Sequence, residues 1–172
     1  APLPPSSVRI LVVDDDEIDR GILARQLSSL SFDVETAVSG KDAVSAVIRA
    51  ESGHRSFGIV FVSTRARGSD GIDIGRMIGA ASKAKPPMVL ATSAFMFSDE
   101  MQNRAGRFFF GLLFKPILPK QLARCLNRVI SGSPHATSPA IRHSFKFEGA
   151  HVLLVEDNRV NQQVALELLR KT

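Results

Sequence analysis

Three consecutive acids close an apolar run in VRILVVDDD, residues 8–16. Crowded carboxylates raise each other's pKa unless a cation or hydrogen-bond donors intervene. An acid pair ending a buried strand, Asp14 with Asp15, therefore suggests a cation site, and hard oxygen ligands suit Mg²⁺. The alternative is a solvated acidic turn that caps a helix starting near Glu17. A repeat favours the cation site. ILVVDDDEID (10–19) superposes on VLLVEDNRVN (152–161) at an offset of 142, which sets Glu156 over Asp14 and Asp157 over Asp15. Other polar residues follow apolar runs too: Ser63 after GIVFV, Thr92-Ser93 after MVLA, and Lys115 after FFFGLLF. Ser63 is followed by Arg65 and Arg67 rather than by acids. A serine hydroxyl attacks only with a general base beside it, and the sequence shows none.

The elements that must position these residues alternate between strand and helix. VRILVV (8–13), GIVFV (58–62) and MVLATSA (88–94) read as buried strands. DVETAV (33–38) alternates like a short strand, and FFFGLLF (108–114) is a fifth apolar run. Helices are predicted over 17–30, 41–50, from Asp70-Gly71 onward, over 98–107 with Ser98 as N-cap, and in QLARCLNRVI. The last carries Leu122, Cys125, Leu126, Val129 and Ile130 as one stripe. Five such β/α units imply an α/β fold, a five-stranded parallel sheet wound with helices on both faces. Sites in such folds form at the carboxyl ends of the strands. Residues 1–7 read as a linker, 8–131 as one domain, 132–149 as a Gly/Pro/Ser-rich linker, and 150–172 as the first strand and helix of a truncated second copy. One strand and one helix bury no core, so the second copy is expected to stray from the domain or pair with another chain.

Bulk properties remove several function classes. No apolar run reaches the roughly 18 residues a membrane span needs. Net charge is +5, but the positive residues are scattered, Trp and Tyr are absent, and no DNA-reading helix pair is recognisable, so nucleic acid is not an expected partner. The four histidines and the single Cys125 lack zinc-ligand spacing, and Cys125 reads as a small buried side chain in a reducing, cytoplasmic setting.

VRILVVDDD, Thr92 after an apolar strand and Lys115-Pro116 together resemble the receiver (response-regulator) domain of two-component signalling, over residues 8–131. HVLLVEDNRVNQQVALELLRKT resembles the start of a second receiver, as at the C-terminal ends of hybrid histidine kinases. The resemblance implies a flavodoxin-like (βα)5 fold and a Mg²⁺ held by Asp14 and Asp15. It also implies Thr92 and Lys115 against a phosphoryl group, and a cis Lys115–Pro116 bond. It places the phosphorylated Asp eight residues before Gly71, where this chain has Ser63. Ala66-Arg67 replaces the family's Met-Pro, and Leu112 stands where an aromatic switch residue is usual. The expectation is a pseudo-receiver with weakened Mg²⁺ binding, in which Arg65, Arg67 or Lys115 pairs with the acids, the alternative being that both arginines point to solvent. It would work by docking on the kinase core or the following receiver. A cyclic dinucleotide held by basic residues such as Arg142 and Lys146 is a further option. The alternatives are a receiver with a non-standard acceptor and a small haloacid-dehalogenase-like phosphatase, whose D-x-D DDDEI (14–18) partly mimics. The latter lacks acids in MVLATSA and leaves the 142-residue repeat unexplained.

Overall fold

The computed structural model describes residues 7–66, 69–93, 99–132 and 151–170. The chain divides into two compact units, with the boundary between Ser138 and Pro139. In the first unit the strands are β1 (Arg9–Val13), β2 (Asp33–Ala37), β3 (Ile59–Ser63), a short arm of β4 (Arg65–Ala66) and β5 (Ser69–Asp70), β6 (Met88–Ser93) and β7 (Gly111–Lys115). The helices are α1 (Glu17–Ser29), α2 (Gly40–Ser52), α3 (Gly71–Ala81), α4 (Asp99–Ala105) and α5 (Pro119–Ile130). The main sheet has the order β2-β1-β3-β6-β7, and every pairing in it is parallel. This is the five-stranded doubly wound α/β fold that the alternation predicts.

The apolar strands are continuous because each feeds two cores. Leu11, Val13, Val60, Val62 and Leu90 face α2 and α3, against Val47, Ile74 and Ile78. Ile10, Val12, Ile59, Phe61 and Val89 face α1 and α5, against Leu23, Leu27, Leu122 and Leu126. Burying a side chain of this size contributes about 1.5–3 kcal/mol, which is what drives the layers together. Polar side chains fix the helix starts. Asp16 accepts from the amides of Ile18 and Asp19, Ser39 from Asp42 and Asp70 from Ile72.

Two local expectations change. The arm of β4 and β5 pairs antiparallel, Arg65 opposite Asp70, where the sequence reads as a plain loop. The strand predicted over 108–114 begins only at Gly111. The amides of Phe108 and Phe109 instead bond back to the carbonyl of Ala105, continuing the turn that ends α4. Ser98, the expected cap of that helix, lies outside the described residues.

One carboxylate holds the far end of the sheet together. Glu51 of α2 accepts from the Ser82 hydroxyl at 2.5 Å and from the Lys83 and Ala84 amides at 3.1 Å each, so it organises the turn leading to β6. The Ser82 hydroxyl first, then these amides, lower the Glu51 pKa below its ordinary 4.5. A carboxylate depressed on folding contributes stability above its unfolded pKa and loses it as pH falls through the folded value. Glu51→Gln is therefore expected to unfold at lower temperature than wild type at neutral pH. The gap should close as thermal scans move to pH values below the ordinary Glu range.

Among the described residues of the second unit, 151–158 form no strand and 159–170 form the helix α6 (Arg159–Arg170). The expected strand is corrected for a physical reason. Val152, Leu153 and Val155 are exposed, and the described residues of this unit hold no second strand to pair with them. The repeat is nonetheless written in hydrogen bonds. Asp14 accepts from the Asp16 amide and Glu156 from the Asn158 amide, both at 3.1 Å. Asp16 caps Ile18 at 2.9 Å, and Asn158 caps Val160 at 2.9 Å. Arg20 donates to the Asp14 carbonyl, and Gln162 donates to that of Glu156.

Candidate functional site

The carboxyl ends of β1, β3, β6 and β7 converge on a cleft of about 480 Å³ lined by Asp14, Asp15, Asp16, Asp19, Ser63, Thr64, Ser93 and Lys115. Parallel pairing puts these ends side by side. Asp14 follows Val13 at the end of β1, Ser63 lies opposite Ala91, and Ser93 lies opposite Lys115. Asp14 and Ser63 are buried, at 5% and 4% exposure.

Lys115 is the centre of the cleft. Its ammonium donates to Asp14 Oδ2 at 2.6 Å, to Asp19 Oδ2 at 2.8 Å and to Ser63 Oγ at 3.2 Å. Burial alone would lower the lysine pKa, but the hydrogen bonds and charges of Asp14 and Asp19 outweigh it and raise the pKa above the ordinary 10.5. The ammonium therefore keeps its proton at every physiological pH. Asp16 is occupied differently. Its carboxylate caps α1, and the Asp19 amide is the main reason its pKa is lowered.

Of the residues singled out in the sequence, Asp14, Asp15, Ser63 and Lys115 come together here. Thr92 does not line the cleft. It is fully buried, and its hydroxyl donates to the Ser93 carbonyl at 3.3 Å. The hydroxyl that lines the cleft from β6 is that of Ser93, because it shares the pleat face of its neighbour Lys115. Arg65 lies in β4, and Arg67 is outside the described residues, as are Arg142 and Lys146. Of the three cations expected to pair with the acids, Lys115 does so. Leu112 packs against the core, and the Lys115–Pro116 bond is cis. Glu156 and Asp157 lie in the second unit, where Glu156 serves the turn before α6. Asp19 was missed by sequence reasoning; its only signal is its place in the first turn of α1, close to the acid cluster.

These side chains do not fit a Mg²⁺ site as arranged. One Asp14 oxygen takes the Asp16 amide and the other takes the ammonium. A Mg²⁺ about 2.1 Å from that second oxygen would compete with Lys115 for it. Ser63 supplies no charge, and among the described residues no group of three or more metal-binding side chains is poised around a common point. In the D-x-D stretch, Asp16 Oδ1 is engaged in capping α1 through the Ile18 and Asp19 amides.

The family model for the response regulator receiver domain matches residues 10–127. The chain belongs to that family. Among its curated relatives, the virulence sensor protein BvgS of Bordetella bronchiseptica is 29% identical over 185 residues, covering 97% of this chain and 14% of that protein. The hybrid signal transduction histidine kinase L of Dictyostelium discoideum is 26% identical over 135 residues, covering 77% of this chain and 8% of that protein. The chain thus spans only a small part of the length of these relatives. Among solved structures, the chemotaxis protein CheY4 of Vibrio cholerae shares the fold with a TM-score of 0.62 and 24% identity, covering 71% of this chain and 98% of that one. The receiver domain of the sensor histidine kinase PA1611 from Pseudomonas aeruginosa, solved with magnesium in its active-site cleft, aligns with a TM-score of 0.61 and 23% identity over 72% of this chain and 98% of that one.

Proposed function

We propose that residues 8–131 are a receiver that does not accept phosphate and acts by docking within a two-component hybrid kinase. The observation that carries this is Ser63, which ends β3 where the family's phosphorylated Asp belongs and meets the Lys115 ammonium at 3.2 Å. An ammonium that holds its proton donates to Oγ and cannot serve as the base a serine nucleophile needs. Its partners in this reading are the kinase core of the same protein and the second receiver that opens at residues 150–172. The match to BvgS over 97% of the chain and the repeated turn around Glu156 support that organisation. The setting is the cytoplasm, where a phosphorelay has its phosphate donors, and docking requires no Mg²⁺. A cyclic dinucleotide is disfavoured in the cleft, which sets four aspartates against one lysine.

Incubation with acetyl phosphate and Mg²⁺, followed by intact-mass measurement, is expected to leave the wild-type protein unmodified. A stable phosphate on Ser63 would overturn this reading and favour a receiver with a non-standard acceptor.

A further inference from the structure

The family's cation site and this chain's side chains disagree, and the disagreement has a specific form. A receiver cleft that loses its acceptor carboxylate keeps an acid pair but loses part of the charge that holds a divalent ion. Here a different carboxylate has entered. Asp19 Oδ2 lies 2.8 Å from the Lys115 ammonium, and Asp14 Oδ2 lies 2.6 Å from it. We infer that the Lys115 ammonium is the resident cation of this cleft, held between Asp14 and Asp19 in place of a divalent metal ion.

Three features carry the inference. The ammonium has two carboxylates and a hydroxyl around it, which uses all three of its protons. The Asp14 side chain is 7% exposed and the lysine side chain 22%, so the closer pair is shielded from solvent and weakly screened by salt. Asp19 joins from α1 rather than from a strand end, so the contact ties that helix to β7 across the mouth of the cleft. The aspartate at 19 thus does for Lys115 what an acid at 63 could have done. Its role is positional: it holds the ammonium over Asp14 and keeps the metal position filled.

The inference rests on the reading of the cleft as non-accepting, but its test reads cation binding and not phosphate. Mn²⁺ serves as the probe, followed by paramagnetic broadening of the Asp14, Asp15, Asp16 and Thr64 amides. Wild type is expected to stay sharp at millimolar Mn²⁺. Lys115→Met should broaden at concentrations at least about tenfold lower, a shift of about 1.4 kcal/mol. Adding Asp19→Asn to it should reverse part of that gain. Equal broadening of wild type and Lys115→Met would overturn the inference. A second measurement needs no lysine variant. The Lys115 Nζ protons of wild type should exchange slowly with water and speed up in Asp19→Asn. Exchange as fast as that of surface lysines in wild type would equally overturn it. Phosphate on Ser63 sinks the non-accepting reading, whereas Mn²⁺ in the wild-type cleft sinks this one.

Discussion

Ser63→Asp is expected to take a phosphoryl group from acetyl phosphate, and only with Mg²⁺ present, where the wild type is expected to take none. The Ser63 side chain already points at the Lys115 ammonium from 3.2 Å. A carboxylate there competes with Asp14 and Asp19 for the ammonium, freeing Asp14 to join Asp15 around a divalent ion. It also adds one negative charge to a cleft in which Lys115 is the one cation among the described residues. At an effective dielectric of about 20, opposite unit charges about 4 Å apart attract by about 4 kcal/mol. A third of that is about tenfold in Mg²⁺ affinity. A carboxylate is nucleophilic as it stands, so the missing base ceases to matter. The cleft of about 480 Å³ has room for the larger side chain. The variant should gain one phosphoryl mass, as an acyl phosphate that hydroxylamine removes, whereas Ser63→Ala gains none. A folded Ser63→Asp protein that stays unmodified with Mg²⁺ would show that one substitution does not separate this cleft from phosphoacceptance. Attention would then move to Arg65, Arg67 and Leu112.

The sheet and the main site residues were legible for one reason: strand ends are marked by abrupt changes of residue type. Asp14 and Lys115 each follow an unbroken apolar run, and parallel pairing then brings those ends together. What escaped depends on geometry that types do not encode. Thr92 and Ser93 are adjacent hydroxyls, and only the register of β6 on β7 turns Ser93 toward Lys115. Asp19 reads as one more acid on a helix surface until the position of α1 brings its first turn over the ammonium. Phe108 and Phe109 have strand-like types, yet the end of α4 captures their amides. The apolar stretch at 152–155 has the same pattern as β1 but no second strand among the described residues of its own unit, which pattern alone does not reveal.

Gly71→Ala is expected to be among the most destabilising single-methyl additions in the protein, by about 3 kcal/mol, the upper part of the usual range for overpacking. A Cβ at Gly71 would lie 2.3 Å from the Ser63 carbonyl oxygen and 2.8 Å from the Thr64 Cα. Both obstacles are backbone, fixed by β3 and by the Gly71 amide, which donates to the Thr64 carbonyl at 3.0 Å. Neither can rotate away. Gly75 is the control. Its added Cβ would lie 2.7 Å from the Phe109 ring tip, the far end of a side chain that can shift. There the alanine's helix preference, about 0.8–1 kcal/mol over glycine, offsets most of the crowding. Thermal unfolding should therefore separate the two variants by roughly 6–12 °C, at about 2–4 °C per kcal/mol for a chain of this size. Equal stability of the two would mean that the third strand and third helix do not approach as closely as the Asp70-Gly71 pair requires. The same contact bears on the cleft, because the carbonyl that the added methyl would displace belongs to Ser63. Gly71→Ala should disturb the Lys115 ammonium signal as well as stability, whereas Gly75→Ala should leave that signal in place.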